Sequence, residues 1–142
     1  MFDYLKYCRA PKFMLRMTSD FEMVLCITKR PLQKKHMVAL AKHFKFSERQ
    51  CAEFLGLSLR HYQGMHRDAS LSIIATEMVV HLSKLFHTGL QVFDARVGSL
   101  LIWLNSKVGA LNKSRPIEII QSKGGVDIVV GLLWRMEYSV LA

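Results

Sequence analysis

The chain has 142 residues, a hydrophobic fraction of 51% and a formal net charge of +9. That length and composition suit one domain or two small ones with a real core, and exclude a disordered tail or a minimal scaffold that needs staples. Three widely spaced cysteines without a CxxC, and six histidines without an HExxH, exclude a disulfide framework and leave no metal-ligand pattern.

The charge is uneven. Residues 1–67 hold 13 Lys/Arg against 5 Asp/Glu, a net +8, while residues 68–142 hold 7 against 6, a net +1. The chain is therefore divided at 67/68 into a basic front part and a nearly neutral back part. A basic half points to a phosphate backbone or an acidic surface, although a merely solvated basic face has the same composition. No apolar run approaches the ~20 residues of a membrane helix, since Glu77, His81 and Lys84 break one candidate and Asp127 another. No signal peptide is expected, and the free cysteines fit a cytoplasmic location.

Residues 1–30 mix aromatic clusters (Phe2, Tyr4, Tyr7, Phe13) with Lys6, Arg9, Lys12 and Arg16, and fit a short helix, an arm or a strand. Phe21 to Ile27 fits a short helix or an extended piece. Pro31 is placed as the first-turn residue of a helix carrying Leu32, His36, Met37, Leu40, Ala41 and Phe44 at helical spacing. Ser47-x-x-Gln50 is a capping box, so a helix starts there, with Cys51, Ala52 and Leu55 on its apolar face. Gly56 supplies a turn and Ser58 caps a second helix with Leu59, Tyr62 and Met65.

This is the spacing of a helix-turn-helix over about residues 47–67. Arg60, His61, Gln63 and Arg67 are types that read base edges or hold phosphates. Ser47, Gln50 and Ser58 suit phosphates at helix N-termini. Such pairs also occur as plain packing elements, and Gly64 weakens the second helix.

Ser72 to Phe93 reads as one long helix. Its stripe of Leu71, Ile74, Met78, Leu82, Leu85 and Phe86, widened by Val79, Val80 and Phe93, suits either intrachain core or a second subunit. Asp94 is placed as the cap of the next helix, which holds Leu100, Leu101, Trp103 and Leu104. Asn105 to Arg115 is a loop. Pro116 opens a short helix with Ile117, Ile119 and Ile120, and Lys123-Gly124-Gly125 is expected to stop it. A last helix runs from about Val126 to Tyr138, leaving a tail Ser139–Ala142. Val126, Val129, Val130, Leu133 and Val140 make its core face. Ile128, Leu132, Trp134 and Met136 fall largely outside that stripe, so the helix is either central or offers a partner surface. The chain is thus all-α.

The order of the C-terminal pieces, WL…ALN…RPIEII…GVDIVVGLLWRMEYSVLA, resembles the C-terminal domain of the Xre/MbcA/ParS-type bacterial antitoxins. The matching positions are Trp103, Leu104, Leu111, Pro116, Ile119, Ile120, Gly125, Val129, Leu132, Leu133, Arg135, Glu137, Tyr138 and Val140. The helix-turn-helix and the stretch Asp20, Phe21, Glu22 and Ile27 to Pro31 match upstream, so the resemblance runs from about residue 20 onward. Two positions depart: the family's Gly-Gly loop is Asn112-Lys113 here, and its glycine after the aromatic is Ser139.

The resemblance implies a non-enzymatic antitoxin with no cofactor and no catalytic residues. Its implied partners are a cognate RES-domain toxin that depletes NAD, and operator DNA through which the complex represses its own promoter, with the antitoxin a homodimer. The toxin-binding residues would be Trp134, Arg135, Glu137, Tyr138, Ser139, Val140, Leu141 and Ala142. Trp134 and Tyr138 are interface-anchoring types, and Arg135 and Glu137 are polar anchors. A stand-alone helix-turn-helix regulator or partition-like protein, its back half serving only to dimerise, is the competing reading. An enzyme would have to assemble Cys51, His61, His81 and Asp94 from scattered positions.

Overall fold

The computed structural model describes residues 2–141, with the side chains of Val140 and Leu141 outside the description. It is all-α. A 3-10 turn, Asp3–Cys8, precedes α1 (Lys12–Leu15), α2 (Asp20–Lys29), α3 (Lys34–Phe44), α4 (Glu48–Leu55) and α5 (Leu59–Gly64). A long α6 (Ile73–Val92) follows, then α7 (Val97–Leu104), a 3-10 turn Gly109–Leu111, α8 (Pro116–Ile119) and α9 (Lys123–Leu141). Among the described residues, extended pairing is limited to the isolated bridges Gln33–Ser70 and Val108–Ser114. The chain forms two compact units, Met1–Ser83 and Lys84–Ala142, and the division falls within α6.

In the first unit, the N-terminal stretch is ordered against α3. Leu5, Cys8 and Met14 are fully buried, and Tyr7 meets His43 edge to face at 5.5 Å. Phe21 to Ile27 is helical, with Ser19 as cap: its hydroxyl oxygen accepts from the Glu22 N–H at 3.2 Å.

Pro31 does not open α3. The backbone from Leu32 to Lys35 is instead engaged with residues 67–71. Lys34 N–H donates to Ala69 O (3.0 Å), Lys35 N–H to Arg67 O (2.9 Å), and Leu71 N–H to Leu32 O (2.8 Å). Leu32 N–H reaches the buried Thr76 hydroxyl at 3.2 Å. The helix therefore starts three residues later than expected, where the Gln33 N–H finds His36 Nδ1 at 2.8 Å. The apolar face Met37, Leu40, Ala41 and Phe44 is buried as its spacing predicts.

The second unit is built on α7, α8 and α9, with Leu85, Phe86, Leu100, Leu104, Ile120, Val126, Val129 and Leu133 in its core. Asp94 does not cap α7. Asp94 and Ala95 both take left-handed backbone (φ 52° and 62°), and Arg96 precedes the helix. The loop that departs from the family's Gly-Gly keeps a glycine-like geometry. Asn112 (φ 55°) and Lys113 (φ 63°) are both left-handed, and Ser114 N–H closes the turn on Leu111 O at 3.0 Å. Pro116 opens α8 as expected, and Glu118 reaches back to the Arg115 N–H at 3.0 Å.

Lys123-Gly124-Gly125 does not stop a helix; it begins α9. Ser122 caps it, its hydroxyl oxygen accepting from Gly125 N–H at 3.1 Å. Gly125 is there because α9 meets the end of α8 at backbone distance: a Cβ would lie 1.8 Å from Ile119 O. The expected tail is also helical through Leu141, since nothing between Ser139 and Leu141 breaks a helix. Ala142 lies outside the described residues.

Two measurements check this fold. Gly125→Ala should destabilise the chain at the upper end of the ~1–3 kcal/mol typical of overpacking, or beyond it. Gly124→Ala, where the new methyl meets nothing within 4 Å, should be neutral or slightly stabilising in the same urea titration. His36 is buried, and burial together with neighbouring Lys35 holds its pKa below the ordinary value of 6.5. The folded state therefore disfavours the proton. The stability His36 contributes is complete above about pH 6.5 and is lost as pH falls toward its lowered pKa, because protonated Nδ1 no longer accepts from Gln33 N–H. Denaturation midpoints should drop between pH 7.5 and 5 for the native chain, and much less for His36→Gln.

Candidate functional site

Two regions gather the residues singled out from the sequence, one in each unit. The first is the pair α4 and α5. Ser47 and Gln50 close the expected capping box: the Ser47 hydroxyl oxygen accepts from Gln50 N–H (3.1 Å) and Gln50 Oε1 accepts from Ser47 N–H (2.9 Å). Gly56 takes φ 71° and ends α4, and Ser58 caps α5 by accepting from His61 N–H at 3.1 Å. Ala52 is buried where α4 meets α5, and Tyr62 seats α5.

Lys34 fixes this pair from α3. Its ammonium donates to Tyr62 O (2.7 Å) and Met65 O (3.0 Å), and it lies over the Tyr62 ring at 4.5 Å. A cation thus satisfies the carbonyls at the C-terminal end of α5, where the helix dipole favours it. Burial pushes the Cys51 thiol up, with the hydrogen bond to Tyr62 pulling the other way, so Cys51 stays protonated at neutral pH and acts as core.

The seven residues assigned to DNA have different fates. Arg60 and His61 are exposed on α5. Ser47, Gln50 and Ser58 spend a side-chain oxygen each on caps. Gln63 is exposed, but its amide donates to Glu48 Oε2 at 2.8 Å, tying α5 back to α4. Arg67 is not on α5. The helix ends at Gly64, Met65 is extended (ψ 137°), and Arg67 lies in the following turn, its carbonyl accepting from Lys35 N–H. Glu48 and Lys34 were not singled out from the sequence, and no local pattern marks a partner 15 or 28 residues away.

The second region is the outer face of α9. Val126, Val129, Leu132 and Leu133 are buried. Leu132 therefore belongs to the core face, contrary to its expected place outside the stripe, while Val130 is half-buried. The opposite side presents Ile128 (54% exposed), Trp134 (38%), Arg135 and Tyr138 (64%). Trp134 and Tyr138 are one turn apart and stack, with ring centroids 6.1 Å apart and planes 26° apart. Glu137 is half-buried at the edge of this face, and the exposed Ser139 donates its hydroxyl to Met136 O at 3.0 Å. Ile74, expected in the α6 stripe, is 80% exposed. Among the described residues, no group of three or more His, Cys, Asp or Glu is placed to hold a metal, and no helix is long and apolar enough to cross a membrane.

No curated protein matches the chain. Residues 89–138 match the family described as the antitoxin Xre/MbcA/ParS C-terminal toxin-binding domain. That span takes in α7, α8 and α9 as far as the Trp134–Tyr138 face. Residues 89–138 therefore form a toxin-binding domain of the Xre/MbcA/ParS antitoxin family.

Proposed function

We propose that the outer face of α9 and its C-terminal end, through Ala142, bind a RES-type NAD-degrading toxin and cover its active-site entrance. We further propose that α4 and α5 form a helix-turn-helix by which a homodimeric antitoxin, in the cytoplasm, represses its own operon. The observation that carries the first part is the stacked, exposed pair Trp134 and Tyr138, beside Ile128 and Arg135, inside the matched toxin-binding domain. An exposed aromatic pair with an arginine is the composition of an interface centre rather than of a solvated face. The RES partner is supported by the resemblance of the motif from Trp103 onward.

The DNA part is supported by the geometry of the capped pair, by Arg60 and His61 on its exposed helix, and by the +8 charge of residues 1–67. Dimerisation is supported by the row Phe21, Val24 and Leu25, which leaves an apolar face of α2 exposed at i, i+3 and i+4. Gln63 reads a base only by leaving Glu48.

Because Trp134 and Tyr138 are outside the core, their removal should spare the fold and weaken the toxin complex. Trp134→Ala and Tyr138→Ala should each cost about 2 kcal/mol or more of affinity, and Arg135→Ala a similar amount if its charge is desolvated. Surface-immobilised toxin and circular dichroism on each variant check this. Full affinity in the Trp134→Ala, Tyr138→Ala double variant would move the toxin site off α9. On duplexes selected by the native chain from a random pool, Arg60→Ala and His61→Ala should each lose ~1–3 kcal/mol of discrimination. An equal loss on selected and unselected duplexes would reduce both residues to phosphate contacts.

A further inference from the structure

The first unit has a concavity of about 560 Å³ that neither the toxin face nor the reading helix uses. Three separate segments build it. Arg9 is the left-handed residue that ends the 3-10 turn Asp3–Cys8, Lys35 and Lys42 lie two turns apart on α3, and Arg67 is in the turn after α5. The backbone under these side chains is fixed. Arg9 N–H donates to Lys6 O at 3.1 Å, and Lys35 N–H to Arg67 O at 2.9 Å. Tyr7 against His43 holds the 3-10 turn to α3.

Four permanent cations therefore face one hollow, and no carboxylate lines it. Asp68, outside the hollow, is paired with Lys35 at 3.2 Å and also feels the charge of Arg67, which leaves Arg9 and Lys42 without an acidic partner among the described residues. Like charges gathered around a concave, partly low-dielectric surface repel one another and focus a positive field into it. An anion relieves both. The floor is apolar at Val38 and Ala39, and His36 stays neutral at pH 7, so the charge belongs to the arginines and lysines.

We propose that this hollow is a binding site for a ligand carrying two or more adjacent phosphates. Two guanidinium forks and two ammonium groups suit tetrahedral oxyanions. The volume is in the range of sites that bury a nucleotide-sized molecule and far exceeds one inorganic phosphate. The same chemistry is offered by a free nucleoside triphosphate and by consecutive phosphates of a nucleic-acid backbone. The site does not depend on base reading by α5, and Arg9 and Lys42 have no part in that reading.

The test is titration of the full chain with ATP and, separately, with a duplex of random sequence, across a salt series. The pocket variant is Arg9→Ala with Lys42→Ala. Its control is Lys107→Ala with Lys123→Ala, which removes the same charge from the other unit. Both phosphate sources predict a loss of about tenfold or more in the pocket variant that the control does not show. If the loss appears with ATP, the ligand is a free nucleotide. If it appears with the duplex only, together with a salt slope lower by about 2, the ligand is the backbone. Lys42→Glu alone, on the solvent side of α3, repeats the test should the double variant fold poorly. Equal behaviour of pocket and control variants with both ligands would overturn the proposal, as would displacement of ATP by an oligoglutamate peptide of similar charge at equal concentration.

Discussion

At Gly125 there is room for a hydrogen and nothing else. The backbone of α9 meets Ile119 O so closely that a Cβ would sit 1.8 Å from it. That contact sets the rotation of α9 against α8, and the rotation decides which residues of the toxin-binding domain face out. With Gly125 against α8, Val126, Val129 and Leu133 turn inward, and Ile128, Trp134, Arg135 and Tyr138 turn outward. A helix apolar on both sides would otherwise have two near-equivalent ways to bury itself. The glycine contact and the Ser122 cap favour one of them, and the outward aromatic pair follows from it.

In the first unit, Lys34 has a comparable place. Its charge closes the carbonyl end of α5 and covers Tyr62, while its own backbone N–H is held by Ala69 O. A short helix of six residues has too little length to hold itself together in water. Lys34, the Ser58 cap and the Gln63–Glu48 hydrogen bond are what keep α5 formed and fixed to α4. The exposed Arg60 and His61 are presented by that brace. Gln63, being part of it, is not presented in the same way.

What could be read from the sequence was local. Ser47 with Gln50, Gly56, Ser58 and Pro116 signal within one turn of helix, and each stands where its spacing placed it. The readings that failed needed partners far along the chain. Pro31 looked like a helix start because nothing nearby shows that residues 32–35 pair with 67–71. Gly124-Gly125 looked like a stop because the carbonyl of Ile119 is invisible to a spacing argument. Asp94 looked like a cap until the left-handed turn through Asp94 and Ala95 took its place. Asn112-Lys113 shows the converse: residues that are not glycine hold a glycine-like turn, because Ser114 and Val108 pair across it. The family was legible because the order of Trp103, Pro116, Gly125 and Tyr138 records that fold without requiring it to be derived.

The account rests most on the proposal that this chain holds a toxin that destroys NAD. The direct measurement is capture of the tagged full chain from its native host, with identification of the chains bound to it. NAD consumption is then followed before and after the complex is separated. The account predicts a co-purifying RES-domain protein that consumes NAD only once freed and falls silent when the antitoxin is added back. A chain that returns alone, or with DNA only, would contradict it, as would a partner whose activity is indifferent to the antitoxin.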